Sequence, residues 1–252
     1  MLKEALEWIK KNGEAHLEDI DGVMWSDKDL KKVENVQSID KVNFYTLTSL
    51  GDYLKSKVDV PNDFVKHIFI NITSPEHISV YSEANADNYY ARTQIADVDA
   101  MLPVVKIGKS ISQTEFCIML RANFLDNGMT EELSKDTDRD DLIAVASNIV
   151  SGTIAQYEDT GISQKATIKT GIQESDERIL PEKVKLRPWR TFMEVEQPCS
   201  EFIFRAEDDR CDGVQLSLYE ADGGRWKIDA MASIKKYLEE QLAELPFVTI
   251  TA

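Results

Sequence analysis

Asp159, Thr160 and Gly161 match the D-[ST]-G triplet with which aspartic proteases present a carboxylate. That chemistry needs two carboxylates sharing a proton, so a homodimer would have to supply the pair. Apolar strand residues precede such an Asp, whereas Gln156, Tyr157 and Glu158 stand here at an expected helix end. D-T-G is also ordinary turn composition, and the turn reading is the better one. Gly108-Lys109-Ser110 has the ending of a phosphate-binding loop, but the glycine required five residues earlier is Pro103. Proline brings no backbone N–H to a phosphate cradle, which rejects the motif. Asp136, Asp138 and Asp140 have the spacing of a calcium loop. The following Gly is replaced by Asp141 and the twelfth-position Glu by Ser147, so carboxylates at a helix start are the simpler reading. His16, His67 and His77 are scattered, and there is no H-E-x-x-H, H-x-H or G-x-S-x-G pattern.

The densest mixture of aromatic, charged and turn-forming residues is Leu186–Phe204, LRPWRTFMEVEQPCSEFIF. Arg187, Trp189, Arg190, Glu194, Gln197 and Arg205 are the candidate ligand-binding residues, because guanidinium forks suit phosphate and carboxylate. The competing reading pairs the arginines with Glu194, Glu196 and Glu201 across strands, and it is favoured because the local acids are numerous. Trp189, Phe192, Phe202 and Phe204 read better as core than as a stacking platform. A hydrolase built on Asp159, Glu194 and Glu196 would need two of these carboxylates close together and buried in a cleft.

Composition limits the partners. The chain has 252 residues and a net charge of −16, which repels phosphate backbones. Nucleic acid is therefore not the expected partner, although Lys183, Lys185, Arg187 and Arg190 make a local basic cluster. Cys117, Cys199 and Cys211 have no C-x-x-C spacing, which argues against a zinc ribbon or a disulfide framework and suits a reduced cytosol. The N-terminus lacks an apolar h-region, and no apolar run approaches the roughly 20 residues that span a bilayer. No cofactor, metal or catalytic residue is expected.

The elements that would position these residues alternate between sheet and helix. Leu2–Lys11 reads as an amphipathic helix, Ile20–Trp25 as a strand with Asp21-Gly22 as turn residues, and 41–47 as a strand, followed by a helix capped by Thr48. Residues 66–82 read as a hairpin, and 89–98 as its third strand. Ser112 and Glu115 form a capping box for a helix that ends at Asn127-Gly128. A second helix is expected over 137–157, then a turn at 159–161 and a half-exposed strand over 163–171. The central stretch reads as one or two strands broken at Pro198. A second meander (201–206, 214–220, 225–229) follows, with Asp222-Gly223-Gly224 as its last turn. Met231, Ile234, Leu238 and Leu242 mark a C-terminal helix stopped by Pro246, and 247–251 reads as a final strand. The fold class is α+β: two mostly antiparallel sheet regions, a central helix pair and a C-terminal helix. Residues 1–60 are expected as an N-terminal segment packed on a main domain of residues 61–252.

The segments L-R-P-W-R-T-F-M-E-V-E-Q-P-C-S-E-F-I-F-R (186–205) and Y-E-A-D-G-G-R-W-K-I-D-A (219–230) resemble domain-of-unknown-function family 2303 of tailed phages and prophages. Asp159–Gln164, Tyr90-Ala91-Arg92 and Gln113–Phe116 fit the same pattern, which spans most of residues 60–242. The resemblance implies a phage protein in the cytoplasm of an infected bacterial host and carries over no catalytic residue. The expectation is a non-enzymatic, homo-oligomeric protein that binds a host or phage protein or a small anionic ligand. Counteracting host defence would fit that role. The alternative is an accessory of phage DNA replication or recombination.

Overall fold

The computed structural model describes residues 17–20, 23–26, 41–56, 67–83, 92–126, 137–156, 163–169, 175–209 and 211–252. The expected helix over 2–11 and the 159–161 turn lie outside these residues, as do His16, Asp136, Asn127-Gly128 and Tyr90-Ala91. The chain divides into two compact units, Met1–Ile39 and Asp40–Ala252. In the smaller unit, β1 (Leu17–Ile20) pairs antiparallel with β2 (Val23–Ser26), so the single strand expected over 20–25 is a pair of strands.

The larger unit is α+β, with four helices among the described residues. Its five-stranded sheet has the order β14-β4-β5-β6-β3. Here β3 is Val42–Phe44, β4 Ile68–Ser74, β5 His77–Ser82, β6 Gln94–Asp99 and β14 Val248–Thr251. The β4-β5-β6 meander is antiparallel as expected, while β3 and β14 join its edges in parallel. Alternation explains the two faces. Ile68, Ile70, Ile72, Ile78, Val80, Ala96 and Val98 are buried under α1 (Leu47–Ser56) and α4 (Arg225–Gln241). Leu47, Leu50 and Leu54 of α1 and Ile234 and Leu238 of α4 fill this core at helical spacing. Residues 42–56 therefore belong to the larger unit.

A second core lies under a four-stranded sheet of order β11-β12-β13-β7. Its strands are β7 (Ile111–Ser112), β11 (Lys183–Leu186), β12 (Ser200–Asp209) and β13 (Gly213–Glu220). Phe202 and Phe204 of β12 pack with Phe116 and Leu120 of α2 (Gln113–Asn123) and Leu142 of α3 (Arg139–Ala146). The Phe116 and Phe204 ring centroids are 5.6 Å apart. Ser112 caps α2 by accepting the Glu115 N–H at 3.3 Å, as the capping box predicts. A small sheet of β8 (Ala155–Gln156), β9 (Gln164–Lys169) and β10 (Ser175–Ile179) completes the unit.

Five expectations change. The helix expected to run to Asn127-Gly128 ends at Asn123, because Phe124 turns extended and bridges Pro188. The helix expected over 137–157 stops at Ala146, because the β-branched residues beyond it are taken by strand partners. Ile149 bridges Ile168, and the Val150 N–H reaches the Thr167 carbonyl at 2.9 Å. Residues 225–229 open α4 rather than form a strand. Gly223 and Gly224, at φ 66° and 81°, turn the chain out of β13 in the left-handed region that glycine enters freely. Residues 187–199 contain no strand. Pro188 and Pro198 cannot donate to a ladder there. Finally, α1 is capped from Thr46, whose Oγ1 accepts the Ser49 N–H at 3.1 Å, and not from Thr48.

Candidate functional site

The loop 187–199 leaves the four-stranded sheet after β11 and returns to it at β12. On the way it inserts Phe192 and Val195 into the core of the five-stranded sheet. Thr191 Oγ1 donates to the Pro75 carbonyl in the β4–β5 turn at 2.6 Å. The chain crosses between the same two cores again where β13 passes through Asp222-Gly223-Gly224 into α4. Arg190, Glu194 and Gln197 of the central stretch lie at these crossings.

Gln197, 2 % exposed, holds the loop together. Its Oε1 accepts the Arg190 and Thr191 N–H groups at 3.0 and 3.2 Å, and its Nε2 donates to the Phe192 carbonyl at 2.9 Å. Beyond the Phe124–Pro188 bridge the loop has no ladder partner and needs such a side chain, because unpaired buried backbone groups are costly. Glu194 reaches α1: its Oε1 accepts the Leu47 N–H at 2.8 Å and the Thr48 N–H at 3.4 Å. It thus caps the helix from another segment and places a carboxylate at the positive end of the dipole. Glu194→Ala lowers stability by about 1 kcal/mol, checked by denaturant unfolding, and α1 frays first in hydrogen exchange.

Arg190 is 8 % exposed and joins the two crossings. Its Nη1 donates to Glu220 Oε1 at 3.2 Å, and its Nη2 donates to Ser200 Oγ and, at 3.4 Å, to the Pro198 carbonyl. The guanidinium carbon lies 3.9 Å from the Trp226 ring centroid and 5.7 Å from that of Phe202. Burial pushes this guanidinium down to about 10, against the pull of Glu220 and Asp222, so it remains charged at neutral pH. Ser200 passes the link on by donating to Asp222 Oδ2 at 2.6 Å, and Asp222 Oδ1 accepts the Gly224 N–H at 3.0 Å. Burial raises the Asp222 carboxyl, but the Ser200 and Gly224 bonds and the charge of Arg190 outweigh it and leave the group below the usual carboxylate range. A depressed folded-state value stabilises the protein above the unfolded carboxylate range, and that stabilisation disappears as pH falls through the folded value. Asp222→Asn is accordingly less stable at neutral pH, and its stability falls less steeply on acidification. Acid titrations of the two unfolding midpoints check this.

The remaining candidates divide. Arg187 is buried and donates to the exposed Glu196 at 2.8 Å. Trp189 is half-buried, with its backbone N–H on the Asn123 carbonyl at 2.9 Å. Arg205 pairs with Ser217 across β12–β13, on the face of β12 opposite Phe202 and Phe204, and so stands apart from Arg190. Of the expected acid partners Arg187 takes Glu196, but within the loop and not across strands, while Arg190 takes Glu220 and Glu201 takes Lys183 at 3.8 Å. Glu194 and Glu196 are a helix cap and a surface ion-pair partner, not an acid–base pair. Gln164 also has a framework role: its amide both donates to and accepts from the Ala206 backbone, at 2.8 and 3.0 Å.

A second polar constellation, not singled out in the sequence, lies on the face of the five-stranded sheet opposite α1 and α4. The registers His77↔Asp99 and Ser79↔Asp97 put four polar side chains on that face. Lys41, just before β3, reaches Asp97 Oδ2 at 2.7 Å. Burial raises the Asp97 carboxyl, yet bonds from Lys41, Ser79 and Gln94 hold it below its ordinary range. The alternation in His77-Ile78-Ser79 and Asp97-Val98-Asp99 was the signal available, but only the register brings the two segments together. Among the described residues no cluster of His, Cys, Asp and Glu could hold a metal. No helix of the described residues is long and apolar enough to cross a membrane.

Comparison with protein-family models, with curated proteins and with solved structures finds no match to this chain.

Proposed function

We propose that the chain is a phage-encoded protein that acts by binding a host or phage protein in the cytoplasm of an infected bacterium, as a homo-oligomer. Counteracting a host defence is the role that fits best. The observation that carries this reading is the engagement of the central cations inside the fold. Arg187 is paired with Glu196 and Arg190 with Glu220, so the two buried guanidiniums are already neutralised by the chain's own acids. That weakens the small-anion reading and favours a macromolecular partner met by the acidic surface, whose net charge is −16. The resemblance of residues 186–205 and 219–230 to a phage family supports the setting.

The replication-accessory reading leans on Lys183, Lys185, Arg187 and Arg190, of which only the two lysines are exposed. Phosphate binding by so few exposed cations would be weak even at low salt. The test is capture of the tagged chain from infected cells, followed by identification of any protein held in fixed ratio and reciprocal capture with that protein. A partner that recovers the chain in turn supports the proposal. A chain that emerges alone, or one that binds single-stranded DNA at low salt, overturns it.

A further inference from the structure

We propose that Ser79, His77 and Asp99 form a nucleophile–base–orienter relay able to hydrolyse small acyl esters, on the sheet face opposite α1 and α4. The inference goes beyond the binding reading and rests on different residues.

The geometry is continuous. Asp99 Oδ1 is 2.7 Å from His77 Nδ1, and His77 Nε2 is 3.0 Å from Ser79 Oγ. A carboxylate only accepts, so Nδ1 carries a proton toward Asp99; Nε2 can then accept from the serine once its hydroxyl turns away from Asp97 Oδ1, to which it donates at 3.0 Å. These are the contacts that nucleophile activation requires. They arise from strand geometry alone: His77 and Ser79 are two residues apart on β5, and Asp99 faces His77 across the β5–β6 ladder.

The surroundings set what could react. β5 lies between β4 and β6, so its backbone N–H groups are directed along the sheet and an oxyanion must be met by side chains. Gln94 Nε2 is 3.4 Å from Ser79 Oγ, and the Lys41 ammonium lies on the far oxygen of Asp97. Gln94 Nε2, which also donates to Asp97 Oδ1, is the side-chain amide beside the serine, while Lys41 is held by Asp97. Asp97 Oδ1, 3.0 Å from Ser79 Oγ, competes with His77 for the hydroxyl proton in the resting state. The relay is open at its histidine end, where the His77 and Asp99 side chains are 35 % and 58 % exposed, whereas Ser79 is 4 % exposed. A nucleophile so little exposed restricts the acyl group to a small one, such as acetyl.

In the reaction, Ser79 Oγ adds to the ester carbonyl carbon as its proton passes to His77 Nε2. The tetrahedral adduct expels the alcohol, which takes that proton, and leaves an acyl-serine. Water then adds in the same way, releases the carboxylic acid and restores Ser79.

The test uses the full chain with a small fluorophosphonate probe and p-nitrophenyl acetate. The expected result is a single adduct mapped by peptide mass to Ser79. Ester hydrolysis should fall by about 100-fold or more in Ser79→Ala and His77→Gln, with far-ultraviolet circular dichroism unchanged. Labelling of the unaltered chain does not depend on how any variant folds. Absence of an adduct on Ser79 in the folded chain, or hydrolysis that persists in a folded Ser79→Ala, would overturn the proposal.

Discussion

Arg190→Ala lowers the free energy of unfolding by about 2–5 kcal/mol, the range for truncating a large buried side chain; its partner Glu220 is exposed and is not stranded as a buried charge. The side chain ties β12, the loop 187–199 and the start of α4 together through Glu220, Ser200, the Pro198 carbonyl and the Trp226 ring. Truncation removes the donor to the Ser200 hydroxyl and the Pro198 carbonyl and opens a cavity against two aromatic rings. Lys183→Ala is the contrast: its 3.8 Å pair with Glu201 is exposed, and its loss costs less than about 0.5 kcal/mol. Urea unfolding of both variants measures the difference. If Arg190 were held ready for an external anion, its removal would leave stability nearly unchanged or improve it.

Phe192→Ala costs about 3–5 kcal/mol, as expected for deleting a fully buried aromatic ring. Phe192 is 1 % exposed and belongs to the core of the five-stranded sheet although its chain neighbours lead back to the other sheet. Its ring is the main apolar anchor of this loop in that core, beside the smaller Val195. The loss should appear in denaturant midpoint, and protection of α1 and α4 amides should fall together because both helices pack on the same core. A loss confined to the loop would show that the two cores are not coupled through it.

These effects explain which parts of the fold were legible in the sequence. Period-two alternation located β4, β5, β9, β12 and β13, because each turns one apolar face to a core. The helical stripe of Ile234 and Leu238 located α4, and the capping box located the start of α2. Errors came where distant contacts decide. Arg225–Asp229 alternates like a strand, but two left-handed glycines and the stacking of Arg190 on Trp226 start a helix there. Ile149 and Val150 continue a helical stripe in the sequence and are instead paired with β9. Local periodicity carries no information about such partners.

The candidate stretch was recognisable by density of chemistry, but its role was not. Arg190, Glu194 and Gln197 look like ligand-binding groups when read along the chain. In space their partners are Glu220, the first turn of α1 and the loop's own backbone. The segments from Arg190 to Ser200 and from Glu220 to Trp226 are those that join the two cores. The constellation of Lys41, His77, Ser79, Asp97 and Asp99 had the opposite fate. Its members are unremarkable in sequence, and Lys41 lies 56 residues from Asp97. They become a site only through the parallel pairing of β3 with β6 and the β5–β6 register.

Native mass spectrometry of the chain purified from phage-infected cells tests most directly whether the central cations are closed to ligands and the chain acts on a protein. The account predicts an oligomer or a complex whose added mass is polypeptide, with no nucleotide-sized adduct, and with the same stoichiometry for a Lys183→Ala variant. A chain that carries a small anionic molecule in fixed ratio and no protein partner would contradict it.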